Sequence, residues 1–342
     1  MQIDDRKQKI LTAVILLYAA DGEPVGSGLL SEYLDLQLST ATLRNEMLAL
    51  TKLGFLSQPH TSAGRIPSTY GYRYYTDNLM HSEQLSEGDK YLVDDLFSYL
   101  DYEQDRLLQG AAAGLTEIAG YTAVISSPRQ PDFGFVHYDV LQVGRYSAAV
   151  LGVSQSGAVY MRVANARESL TAEDITFLSV FFNTQLTFLS AKDITQEKIT
   201  DVARRLGTKA PALLPVVSCA VRLLNEMNQP HVYVENMERL LDYRDLDSSL
   251  RGVISLFGDK SLLEDIITRG SADIQVLFGE ELPGYYLPGL CLLSAKYAAG
   301  GGKLGAVALA GSTRMQHTKL IPLLKYFAEK LGHAVAGTGK KE

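Results

Sequence analysis

The run Ser39-Thr40-Ala41-Thr42-Leu43-Arg44-Asn45 gathers the group types that recognise nucleic acid. Hydroxyls and a guanidinium bind phosphate oxygens, and an arginine or asparagine can make paired hydrogen bonds to a purine edge in the major groove, which admits one α-helix. We therefore expect Ser39, Thr40, Thr42, Arg44 and Asn45 at a duplex surface, with Arg44 and Asn45 best suited to base edges. Lys52 follows at the end of the same segment, and His60, Arg65 and Arg73 extend the basic character beyond it. No acidic residue lies between Glu46 and Asp77. The whole chain has a formal charge of -7, so any attraction to phosphate has to be local.

Three short helices and a hairpin are needed to present these groups. Asp4 and Asp5 stand where an N-cap belongs, and Ile10, Val14 and Leu17 recur at helical spacing until Gly22-Glu23-Pro24 ends the run. Ser27 begins a second helix with Leu30, Tyr33 and Leu34 facing inward, and the stretch through Gln37 turns into the third. Ser39 caps that helix, Leu43, Met47 and Leu50 form its apolar stripe with Leu53 at the edge, and Ala41, Arg44, Asn45, Leu48 and Lys52 point away. Gly54 stops it. Residues 55–58 and 65–67 then read as two strands around the turn PHTSAG, where Gly64 permits a sharp reversal that lets His60 and Arg65 reach the flanking backbone or minor groove.

A long helical stretch, Tyr70 to Leu79 and then Gly88 to Ile118, is expected to link this head to the rest of the chain. After a strand at Thr122 to Ser127 and turn residues Pro128 and Pro131, three extended runs (Val136 to Val143, Ser147 to Ser154, Val159 to Ala164) suggest an antiparallel meander, followed by three helices to Asn228. A strand at His231 to Glu235, helices to Arg269, strands at Ile274 to Gly279, Leu290 to Tyr297 and Leu304 to Leu309, and a helix from Gln316 to Leu331 complete the chain, with GTGKKE as a frayed tail. The block from about 131 to 230 thus interrupts another sheet, and the fold class is α+β, multidomain.

Other chemistries find little support. Cys219 and Cys291 are far apart in apolar sequence and read as buried free thiols, and the six histidines have no metal-ligand spacing. Gly300-Gly301-Gly302-Lys303 lacks the partners of a phosphate loop, no serine sits in a GxSxG elbow, and Glu280-Glu281 reads as a solvated strand end. A pocket lined by Tyr285, Tyr286 and Tyr297 would be the place for a small effector. No stretch approaches 18 uninterrupted apolar residues and the N-terminus lacks a signal-peptide pattern, so we expect a cytoplasmic, non-enzymatic protein without cofactor or metal.

The segments GEPVGSGLL, STATLRNEMLAL and GFLSQPHTSAGRIPSTYGYRYYTD, with VLFGEE and STRM near the C-terminus, resemble the heat-inducible transcription repressor family HrcA. The resemblance implies a homodimeric repressor of chaperone operons that binds an inverted-repeat operator, CIRCE, and is kept active by the GroEL chaperonin. It also implies a winged helix-turn-helix domain over 1–82, a linker helix and first part of a GAF-like domain over 83–130, an inserted dimerisation domain over 131–230, and the remainder of the GAF-like domain over 231–342. The family's serine followed by Ala-Thr-Ile-Arg-Asn is matched by Ser39 or Thr40 through Asn45, with Leu43 for isoleucine. Its C-terminal Gly-Pro-Thr-Arg-Met is Gly311-Ser312-Thr313-Arg314-Met315 here, with Gln316 and His317 in place of Asp and Tyr, and Leu282 replaces an asparagine. A small-molecule-gated repressor using the GAF-like domain is the alternative reading.

Overall fold

The computed structural model describes residues 3–34, 39–81, 83–101, 103–128, 134–155, 157, 159–189, 193–227, 231–270, 272–300 and 302–338. The Gln37 turn and Pro131 lie outside them. Helix and sheet are mixed, and the chain divides into two compact units, residues 1–129 with 231–342, and residues 130–230.

In chain order the first unit begins with α1 (Asp5–Asp21), α2 (Ser27–Leu34), α3 (Thr40–Lys52), β1 (Leu56–Ser57), β2 (Ile66–Pro67) and α4 (Thr69–Tyr74), the last running into one π-helical turn, Tyr75–Leu79. Next come α5 (Glu87–Tyr99), α6 (Gln104–Ala119) and β3 (Thr122–Ser126). The second unit contributes β4 (His137–Gly144), β5 (Ser147–Val153), β6 (Val159–Asn165), α7 (Ala172–Gln185), α8 (Gln196–Leu206) and α9 (Ala210–Met227). The chain re-enters the first unit with β7 (Val232–Glu235), α10 (Leu250–Gly258), α11 (Lys260–Thr268), β8 (Ile274–Phe278), β9 (Leu290–Ala298), β10 (Leu304–Ser312) and α12 (His317–Thr338).

Five strands of the first unit form an antiparallel sheet in the order β7-β3-β10-β9-β8. The two strands on either side of the excursion are neighbours, Ser126 pairing with Val232. Period-two alternation sorts the side chains of the central strands. Leu293, Tyr297, Val307 and Leu309 enter the apolar layer shared with α5, α6 and α12, whereas Leu290, Leu292, Ala306 and Ala308 meet α10 and α11 on the opposite face.

The expected linking helix is instead two helices that belong to this layer. Leu100 leaves α5 in an extended conformation and the Asp101 carboxylate accepts from the Glu103 amide at 3.1 Å, which turns the chain into α6. Gly110 and Gly114 let the pair approach: a Cβ at these positions would lie 2.6 Å from Leu100 Cδ2 and 2.4 Å from Leu96 Cδ1. The same apolar cluster runs without a break from Ile10, Leu43, Leu50 and Phe55 of the N-terminal head to Leu293, Leu309 and Phe327.

Three further expectations are corrected. Tyr33 is half exposed, because α2 is only two turns long and buries Leu30 alone. The C-terminal helix extends to Thr338, past the expected stop at Leu331. Tyr285, Tyr286 and Tyr297 line no common pocket: Tyr297 is buried and donates to the Ser126 carbonyl at 2.6 Å, Tyr286 faces solvent, and Tyr285 meets Ser255.

In the second unit β4, β5 and β6 form an antiparallel meander. Tyr138, Val140, Val150 and Ala164 on one face pack with Leu178 and Phe182 of α7 and Val216, Ala220 and Leu223 of α9. The opposite face carries Leu141, Val143, Val159, Met161 and Val163, all between 49% and 61% exposed. Among the described residues α9 alone is long and apolar enough to cross a membrane by length and composition, yet it includes Arg222 and Glu226 and buries Leu213, Val216 and Leu223 against its own sheet.

Candidate nucleic-acid interface

Two opposed demands set the orientation of α3. Leu43, Met47 and Leu50 are buried, at 0%, 4% and 0% exposure, on one side of it. Burying each contributes about 1.5–3 kcal/mol, so the helix cannot rotate without losing several kcal/mol. Thr40, Ala41, Arg44, Asn45, Leu48 and Lys52 are exposed as a consequence, and Thr42 is half-buried beside them.

The start of α3 is fixed by Ser39, whose Oγ accepts from the Thr42 amide at 3.1 Å and lies 2.9 Å from Thr42 Oγ1. Ser39 and Thr42 are therefore already engaged with each other. The side chains of Arg44 and Asn45, by contrast, make no hydrogen bond or ion pair among the described residues, and those of Lys52 and Thr40 are equally uncommitted. Glu46 is the one acid of the helix, and it turns toward α1, where Lys7 Nζ lies 3.2 Å and Arg6 Nη1 3.5 Å from its carboxylate. Hydrogen bonds to Asp4 first and Glu46 second hold the Lys7 ammonium above its usual pKa. The outward side of α3 thus presents cations and neutral polar groups, its acid being neutralised at the flank.

The hairpin is built onto this helix. Leu56 pairs with Pro67 and Ser57 with Ile66, and Val25 adds a further rung, its amide and carbonyl bonding Arg65 at 2.9 Å each. Gly64 lies so close to that rung that a Cβ would sit 2.4 Å from the Val25 carbonyl oxygen. Gln58 Nε2 donates to the Thr61 and Ala63 carbonyls at 3.0 Å and closes the tip, where His60 is exposed. Arg65 reaches back instead of outward: its Nε donates to Thr51 Oγ1 at 3.0 Å, and Thr51 Oγ1 donates to the Met47 carbonyl at 2.8 Å. It is a positioning residue that ties the hairpin to the last turns of α3. Thr51, Gln58 and Val25 escape a reading by chemical type because their role is to hold other groups in place.

Arg73 is a correction. Its guanidinium donates from Nε to Glu281 Oε1 at 3.0 Å and from Nη2 to the Val276 carbonyl at 2.8 Å, pairs with Glu281 Oε2, and stacks 4.9 Å above the Phe278 ring. These four contacts, on β8 and the short turn that follows it, commit this side chain within the protein instead of to a phosphate. Glu281, in turn, is no unpartnered strand end. A second arginine serves the same junction: Arg314 Nε donates to Asp245 Oδ2 at 2.6 Å and its guanidinium lies against Gly22 at the end of α1. Thr318 and Glu83 add two hydrogen bonds, at 2.9 and 3.1 Å. His317, which stands where the resembled family has tyrosine, is buried among Phe278 and Cys291, and burial, reinforced by Arg73, lowers its pKa to about 4.

Residues 105–321 match the family model described as the HrcA protein C terminal domain. The chain belongs to the HrcA family. A relative from Moorella thermoacetica is 32% identical over 340 residues, covering 98% of both chains, and one from Desulforudis audaxviator is 30% identical over 341 residues with the same coverage. Both bear the name heat-inducible transcription repressor HrcA. A solved crystal structure of a hypothetical protein has the same fold at 20% identity, with a TM-score of 0.58 over 98% of this chain and all of the other. HrcA relatives align over nearly the full length, so the N-terminal helices and hairpin fall within the resemblance although the family model begins after them.

Arg73→Ala is expected to lower stability by about 1–3 kcal/mol, the cost of stranding a charged acceptor. The slope of DNA affinity against salt should stay unchanged. Urea denaturation and a salt titration check the two halves, and a flattened slope at undiminished stability would return Arg73 to the phosphate-contacting set.

Proposed function

We propose that this HrcA-family chain is a sequence-specific transcriptional repressor that inserts α3 into the major groove of an operator. The observation that carries the reading is the uncommitted pair Arg44 and Asn45, one turn into a capped helix whose other side is locked in the core. Arg44 suits a guanine edge and Asn45 an adenine edge. Thr40, Thr42 and Lys52 would meet phosphates, with Ser39 capping, while the hairpin held by Arg65 would place His60 beside the flanking backbone. On this reading the N-terminal head is a winged helix-turn-helix and β1 with β2 is its wing. The antiparallel five-stranded sheet with helices on both faces supports the assignment of a GAF-like domain.

The apolar outer face of β4, β5 and β6 supports the second half of the proposal, homodimerisation through the 130–230 unit. Five half-exposed aliphatic side chains on one sheet face are costly to leave in water, and a second copy would cover them. A dimer offers two reading helices, which fits an inverted repeat of the CIRCE type. The family resemblance adds the GroEL chaperonin as the partner that keeps the repressor active. Heat sensitivity then follows from marginal stability: once a domain that holds the head unfolds, helix spacing and operator binding are lost together. Operator DNA as the ligand places the chain in the cytoplasm.

Arg44→Ala and Asn45→Ala should each cost about 1–3 kcal/mol in operator binding and relax preference at one base position per half-site. Arg65→Ala should weaken specific and non-specific DNA alike, since it releases the hairpin. Gel-shift titrations on operator and scrambled duplexes measure both, and three variants with wild-type affinity would refute the assignment. The double variant Met161→Asp, Val163→Asp is expected to sediment as a monomer and to bind an operator half-site no more weakly than the full repeat. A dimer that survives those charges would locate the self-association elsewhere.

A further inference from the structure

The 130–230 unit contains a groove that the DNA reading does not use and that shares only Val163 with the apolar sheet face. It opens between β6 and α9, holds about 500 Å3, and is lined by Arg162, Arg167 and Arg222. That volume falls inside the roughly 300–1,000 Å3 span of small-ligand sites. Among the described residues every charged group lining it is a guanidinium. Arg162 is paired, with Nη2 2.5 Å from Glu226 Oε1, but Arg167 and Arg222 have no ion pair among the described residues. Like charges gathered on one wall repel, and an anion seated between them turns that cost into attraction. In a chain of net charge -7 such a gathering is no by-product of general basicity.

The rest of the lining narrows the ligand's chemistry. Leu214, Pro211 and Pro215 form an apolar wall on α9, and the Cys219 thiol sits buried beside them. Burial, outweighing the two arginines near it, raises the thiol's pKa, so it adds no competing negative charge at neutral pH. A planar guanidinium grips phosphate oxygens two at a time, while an apolar wall suits an organic body. We propose that this groove binds a small organic phosphate ester, Arg167 and Arg222 holding the phosphate and the α9 wall taking the body of the molecule. The site belongs to the second unit, whereas α3 belongs to the first, and it gives the inserted unit a ligand of its own.

Phenyl phosphate is the simplest probe of both parts. Calorimetric titration of the full chain at fixed ionic strength should show saturable binding of phenyl phosphate and none of phenol. The double variant Arg167→Gln, Arg222→Gln alters two exposed side chains and should keep the wild-type circular dichroism while binding phenyl phosphate at least about tenfold more weakly. Absence of saturable binding to the wild type, or equal binding to the variant, overturns the proposal. So does a groove filled by a second copy of the chain, which would show as no phenyl phosphate binding together with monomerisation of the variant.

Discussion

Leu43, Met47 and Leu50 cannot be withdrawn from the core without exposing three large side chains, and their burial decides what the other side of α3 can do. A helix with one apolar stripe has one direction in which it can face. The stripe packs into a cluster that continues through Phe55 and Tyr72 to the strands and α12, so the orientation of Arg44 and Asn45 is inherited from the whole first unit. Caps and turns refine that orientation. Ser39 sets where α3 begins, Glu46 braces it against α1, and the Arg65–Thr51 contact sets where the hairpin stands beside it.

The same reasoning explains why two of the most conspicuous arginines of the first unit are kept from solvent chemistry. Arg73 ties the N-terminal head to Glu281 and the Val276 carbonyl, whereas Arg314, held by Asp245, lies against Gly22 at the end of α1. Head and sheet share a continuous apolar core as well as these polar ties. Loss of order in the sheet would therefore reach α3 directly, which is the physical content of a heat-sensitive repressor on the proposed reading.

Local patterns were legible in the sequence to the degree that they depended on near neighbours. The Asp4 and Ser39 caps and the α3 stripe rest on residues within a few positions of one another, the hairpin and the three-strand meander on neighbouring segments, and the residue types announce them. What escaped were commitments made across the fold. Arg73 reads as a free cation because Glu281 lies 208 positions away, and the break between α5 and α6 depends on Leu96 and Leu100 meeting glycines of the next helix. Arg162, Arg167 and Arg222 give no local signal at all, since a strand, a loop and a helix bring them to one groove. Family resemblance added partners and an operator type that no residue spacing contains.

The claim on which the functional account stands is that the outward side of α3 occupies a duplex groove. Cys219 and Cys291 are both buried and free, so a single cysteine placed at Ala41 on that exposed side can be coupled selectively to a DNA-cleaving chelate. Cleavage of operator duplex by this conjugate should map to two short windows, one in each half-site and related by the operator's dyad, opening from the major groove. Cleavage spread evenly along the duplex, or absent while a chelate carried by the exposed Tyr91 of α5 cuts efficiently, would contradict it.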